Sequence, residues 1–121
     1  MNLMEVESNT FGQSLRGLRR SKGVSQRELA GKVGVDFSYI SKVENDRLPP
    51  PAADTIVKIC EALGVAPEEL LASTGKIPRQ LREMLGTSSS ALLFAREAYQ
   101  MSLTDEEWGE MTRQMKRLRG D

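Results

Sequence analysis

The chain has 121 residues, of which 39% are hydrophobic and 28% charged, with 17 basic and 17 acidic side chains and no net charge. That length allows one ordinary domain, or one small domain with an extension, and the composition is that of a globular chain. The absence of histidine removes the usual general base and the commonest metal ligand. A single cysteine, Cys60, excludes an intrachain disulfide and reads as a small buried hydrophobe. The opening MNLMEVESNT has neither a basic start nor an apolar run, so no signal peptide is expected. The longest strongly apolar run, ALLFA at residues 91–95, is too short to span a bilayer. A cytoplasmic chain with no membrane association, cofactor or metal is expected.

Glycine and proline cut the sequence into short helical pieces, and no alternating strand pattern is present. Residues 1–9 read as a flexible arm. FGQSLRGLRRSKG places Phe11, Leu15 and Leu18 at helical spacing and stops at Gly23. A second helix over residues 25–33 is closed by Gly34, and a third covers residues 37–45. RLPPPAAD is a stiff connector, because proline fixes its own backbone and biases the residue before it. ADTIVKICEALG is a fourth helix, with Ile56, Ile59, Cys60 and Leu63 on one face and Gly64 at its end. Pro67 opens a short fifth helix through Leu70 and Leu71, and STGK at residues 73–76 reads as a boundary. Three weaker helical pieces follow, at about residues 78–85, 90–101 and 105–119. The last opens with a capping-box pair, Thr104 and Glu107, and carries Trp108, Met111, Met115 and Leu118 on one stripe.

The stretch SQRELAGKVGVDFSYISKVEND, from Ser25 to Asp46, has a tighter logic. Ser25 and Glu28 form a capping box. Ala30 is small, as it must be where another helix crosses, and Gly34 stands where the chain turns sharply. Leu29, Val33, Val35, Ile40 and Val43 supply apolar contacts on both sides of the turn. Small residue, glycine and apolar pair at these offsets is the helix-turn-helix arrangement, which projects its second helix into a major groove.

This stretch resembles the lambda-repressor/Cro type of helix-turn-helix domain, the XRE family. FGQSLRGLRRSKGVS resembles the first helix of that family, and DTIVKICEALGVAPEELLA resembles its last two, so the likeness covers about residues 10–72. It implies a five-helix lambda-repressor-like DNA-binding domain at residues 10–74; with the weaker helical pieces read above, which form a smaller helical region at residues 76–121, an all-α protein is expected. It places the recognition helix at residues 37–44, with Phe37, Ser38, Ser41 and Lys42 facing base edges. Ser38 and Lys42 can hydrogen-bond bases; Phe37 either packs on a thymine methyl or shields the domain surface. Phosphate contacts are expected from Gln26, at a helix amino terminus, and from Tyr39, Asn45 and Arg47. Tyr39 is expected to pack its ring with the hydroxyl near the DNA backbone. Arg19 and Glu44 are expected to form a semi-buried structural salt bridge. Two residues depart from the family pattern. Asp46 stands where glycine is common and must take up left-handed backbone geometry. Asp36 adds negative charge beside the recognition helix, as a helix cap.

Zero net charge is compatible with a nucleic-acid partner, because the charges are unevenly placed. Residues 1–24 carry +2, residues 25–50 zero, residues 51–75 −3 and residues 76–121 +1. The acid therefore sits in the fourth and fifth helices, behind the recognition helix. Modest monomer affinity is expected, raised by dimerisation on a two-fold operator. The apolar residues beyond Lys76, notably Leu92, Tyr99, Trp108, Met111, Met115 and Leu118, are too many for a solvated tail. They point to a homodimerisation module, with two alternatives: packing back on the first domain, or docking a regulatory protein. The expected function is a sequence-specific transcriptional regulator, a repressor acting as a homodimer on double-stranded DNA. The rival is an antitoxin-like or scaffold protein that holds a partner through its last helices. An enzyme is not expected. Glu106, Glu107 and Glu110 are metal-ligand types, but their place in the first turns of a helix is explained by the macrodipole.

Overall fold

A computed structural model describes residues 9–120. They form eight helices, with no strand among the described residues: α1 (Phe11–Ser21), α2 (Gln26–Val33), α3 (Phe37–Glu44), α4 (Ala53–Leu63), α5 (Glu68–Thr74), α6 (Arg79–Thr87), α7 (Ser89–Met101) and α8 (Asp105–Arg117). The protein is all-α, as expected. The arm expected at residues 1–9 lies, apart from Asn9, outside the described residues. The described residues divide into two compact units, one ending at Arg79 and the other beginning at Gln80.

In the first unit, side chains specify where each early helix starts. Thr10 and Gln13 form a reciprocal capping box on α1, and Ser25 and Glu28 form another on α2. Gly34 closes α2 at φ 86°, the left-handed geometry that the turn into α3 requires. Asp36 occupies the N-cap position of α3, but its side chain makes no capping hydrogen bond, so its expected role as a cap is positional only. Asp46 does adopt left-handed backbone, at φ 58°. It ends α3 as a glycine would: the Asp46 N–H donates to the Val43 carbonyl (3.1 Å) and the Arg47 N–H to the Lys42 carbonyl (2.8 Å). The aspartate side chain adds what glycine lacks. It accepts from the Thr10 hydroxyl (2.7 Å) and the Gly12 N–H (3.2 Å), joining the end of α3 to the start of α1.

The core has two parts. Leu15, Leu29, Ala30, Ile40, Val43, Ile59 and Leu63 pack α1, α2, α3 and α4 together. Ala53, Ile56, Cys60, Leu70 and Leu71 pack α4 against α5. Phe11, Leu18 and Val65 touch both clusters and weld them into one. Ala30 is 3% exposed, consistent with the demand for a small residue under the turn. The unit also runs past the STGK stretch. The Lys76 ammonium donates to the carbonyls of Pro50 (2.9 Å) and Pro51 (2.7 Å), and the Arg79 N–H donates to Asp54 (3.3 Å).

The second unit is built differently. Ser88 caps α7 through a hydrogen bond from the Ala91 N–H, and Thr104 and Glu107 form the expected capping box on α8. Between residues 80 and 120, however, Ala98 is the only buried side chain among the described residues. Most of its larger apolar groups, among them Leu92, Phe94 and Tyr99, are exposed, while Leu85, Leu103 and Met111 are half-buried.

Candidate nucleic-acid interface

The turn between α2 and α3 fixes which face of α3 is free. Ile40, Val43 and Glu44 are buried, so the helix presents Phe37, Ser38 and Lys42 to solvent, with Ser41 half-buried beside them. Arg47 is exposed just past the end of the helix. Tyr39 is half-buried and packs on the core. Lys32 is exposed on α2.

A buried charge network holds α3 at this angle. Glu44 is 1% exposed and Arg19 7%. The guanidinium of Arg19 donates twice to the Glu44 carboxylate, from Nε (2.6 Å) and Nη2 (2.9 Å), and once from Nη1 to the Val24 carbonyl (2.9 Å). Gln26 Nε2 donates to the same carboxylate (2.9 Å), and Arg16 Nε lies 3.5 Å from it. Burial pushes the Glu44 carboxyl up, but hydrogen bonds from Arg19 and Gln26 and the Arg19 charge outweigh it. The net result is a carboxyl held below its usual range. No buried side-chain nitrogen or oxygen among the described residues lacks a partner, so this network meets the condition under which buried charge is tolerated.

The network also engages two of the residues expected at phosphates. Gln26 Nε2 gives one hydrogen bond to Glu44, and its second amide hydrogen and the backbone N–H groups at the start of α2 remain for an anion. Asn45 accepts from Arg16 through its side-chain oxygen and donates through Nδ2 to the Ser41 carbonyl (2.9 Å). It therefore links α1 to α3.

The structure adds residues that sequence reasoning missed. The Arg27 guanidinium lies over the Phe37 ring, 4.6 Å from its centroid. Phe37 is thus a platform for a cation as well as an exposed ring. Arg16, Arg20, Ser25 and Gln26 join these two around an open, arginine-rich depression at the amino terminus of α2. Positive side chains and unpaired helical N–H groups at one spot attract phosphate. In the sequence these arginines are visible as charge, but the stack on Phe37 spans the turn and has no periodic signature.

Among the described residues, no group of three or more histidine, cysteine or acidic side chains is placed to hold a metal ion. Glu107 caps α8, and Glu110 pairs with Arg113 (2.8 Å). Among the described residues, no helix is long and apolar enough to cross a membrane.

The helix-turn-helix family model matches residues 15–70, the span that carries this turn and its network. The chain belongs to the XRE-type helix-turn-helix family, and it is a transcriptional regulator with a helix-turn-helix DNA-binding domain. It is similar to the uncharacterized HTH-type transcriptional regulator RghRB of Bacillus subtilis, at 36% identity over 97 residues, which span 78% of this chain and 67% of the relative. It is similar also to the HTH-type transcriptional repressor RghR of the same organism, at 33% identity over 105 residues, 82% of this chain and 77% of the relative. A hypothetical transcription factor of Neisseria meningitidis is 42% identical over 77 residues, 64% of this chain and 67% of the relative. All three carry names of transcriptional regulators.

Proposed function

We propose that this chain is a cytoplasmic repressor that binds a two-fold symmetric operator as a homodimer. Base edges are read by Ser38, Ser41 and Lys42, with Phe37 against a thymine methyl. Arg47 and the amino terminus of α2, beginning at Gln26, meet phosphates, and Tyr39 and Asn45 flank them. The observation that carries this reading is the exposed Phe37–Ser38–Lys42 face on a helix whose other face is locked by Ile40, Val43 and Glu44. The repressor named among the relatives supports the direction of control. Residues 76–121 supply dimerisation, which doubles the phosphate contacts and steepens the salt dependence.

Selection of bound fragments from sheared genomic DNA tests the proposal, with the full chain and Lys42→Ala run in parallel. The full chain enriches a site with two-fold symmetry. Lys42→Ala loses a guanine contact worth about 1–3 kcal/mol and relaxes one position in each half-site. If the full chain enriches no sequence above background at moderate salt, the helix-turn-helix does not read DNA by itself and the proposal fails.

A further inference from the structure

Within the second unit, α6, α7 and α8 leave much of their apolar surface uncovered by one another. Met84 and Leu85 from α6, Ala91 and Phe94 from α7, and the α8 stripe line a single apolar groove. Trp108 is 43% exposed, Met115 58% and Leu118 82%. A unit of about 40 residues seldom stands on its own core without a disulfide, a metal or a partner chain. Here the core is nearly absent, since Ala98 alone is buried among the described residues. A contiguous apolar face of this kind marks an interaction surface.

The charge pattern of α8 says what covers it. Asp105, Glu106, Glu107 and Glu110 occupy its first half, and Arg113, Lys116, Arg117 and Arg119 follow in and just beyond its second. Glu110 and Arg113 pair with each other. Asp105, Glu106, Lys116, Arg117 and Arg119 have no ion-pair partner among the described residues. Trp108, Met111, Met115 and Leu118 recur at intervals of three, four and three, the seam of a two-helix coiled coil. A helix that is acidic at one end and basic at the other repels a parallel copy of itself and attracts an antiparallel one. A two-fold axis perpendicular to the two helices closes such an antiparallel pair into a dimer.

We propose that the α8 groove is filled by the α8 helix of a second copy of this chain, running antiparallel. Trp108 of one copy lies opposite Leu118 of the other, and Met111 opposite Met115, which sets the acidic half of each helix beside the basic half of its mate. In this register Asp105 meets Arg119 of the other copy on the flank of the seam, at both ends, and Thr112 faces its own counterpart beside the axis. The proposal rests on the homodimer reading above and specifies its interface.

Two measurements on the full chain test it. Sedimentation equilibrium compares the unaltered protein with a triple variant, Lys116→Glu, Arg117→Glu and Arg119→Glu, whose helicity is checked by circular dichroism. The reversal makes α8 acidic at both ends and weakens self-association about tenfold or more. Orientation is read by cross-linking variants that each add one exposed cysteine. Asp105→Cys and Arg119→Cys each fail to form a disulfide alone, because like positions lie about 20 Å apart in an antiparallel pair of such helices. Mixed together, they cross-link. Self-cross-linking of either variant alone means parallel pairing and overturns the proposal. A dimer indifferent to the charge reversal also overturns it while leaving the homodimer reading intact. A chain that stays monomeric at every concentration overturns both.

Discussion

Glu44→Ala lowers the unfolding free energy by about 3–5 kcal/mol, the cost of stranding one partner of a buried ion pair. The carboxylate accepts hydrogen bonds from Arg19 and Gln26, and Arg16 lies close by. Removing it leaves the Arg19 guanidinium, 7% exposed, with the Val24 carbonyl as its one remaining acceptor among the described residues. Urea unfolding followed by circular dichroism reads the loss. The double variant Arg19→Leu with Glu44→Leu recovers a large part of it, because the uncompensated charge is gone. The same pair sets an acid limit. The folded-state carboxyl of Glu44 titrates below its unfolded value, which is about 4.3. Its contribution is therefore complete above that pH and is lost as the pH falls through the folded value. A urea series from neutral pH downward shows a flat stability from this group, then a fall that Glu44→Ala does not share.

Gly12→Ala is the second severe substitution, and its cause is steric. A methyl group at Gly12 meets the Val43 carbonyl oxygen and comes within 2.6 Å of the Glu44 carbonyl oxygen and of Asp46 Oδ1. Two of these are backbone atoms in the last turn of α3, which cannot swing aside as a side-chain tip can. Alanine is the better helix former, worth about 1 kcal/mol over glycine in an unobstructed helix. Here overpacking costs about 1–3 kcal/mol and reverses that preference. Thermal unfolding gives the stability change. Because relief comes by moving the end of α3, the proposed reading of DNA by this helix predicts that DNA affinity falls as well, even at temperatures where the variant is fully folded. Gly17, on the same helix, has open space where a methyl group would sit, so Gly17→Ala stabilises and serves as the control.

The local grammar of the first unit is readable directly from sequence. Ser25 with Glu28, Gly34 after Ala30, and the four apolar positions of α4 each act within a few residues, where spacing alone carries the information. The contacts that lock the domain are not local. Asp46 reaches back 34 residues to Gly12, and Gln26 turns 18 residues along the chain to Glu44. Periodicity has no means of encoding such pairs. Gly12 does carry a faint sign: a glycine one position inside a helix is unfavourable unless something must come close. The exposed face of α3 follows from its apolar residues, since Ile40 and Val43 point inward and leave Ser38 and Lys42 outside. Arg27 has no comparable signal, because its partner Phe37 lies across the turn on the next helix. In the last third the capping box of α8 is legible, but the near absence of a core is not, because an apolar stripe reads the same whether it is covered or bare.

Cys60 lies at the contact of α4 with α5 and is fully buried. Burial, helped by the nearby Glu68 charge, pushes its thiol above the ordinary range, so it resists alkylation on both steric and chemical grounds. It is also the only thiol in the sequence. The chain thus carries a built-in reporter of its own opening. The rate at which a thiol reagent labels it measures how often the DNA-binding unit unlocks around α4 and α5. DNA that the domain binds slows that labelling to the extent that it binds the closed form alone, so ligation and local unfolding are read from one reaction at one atom.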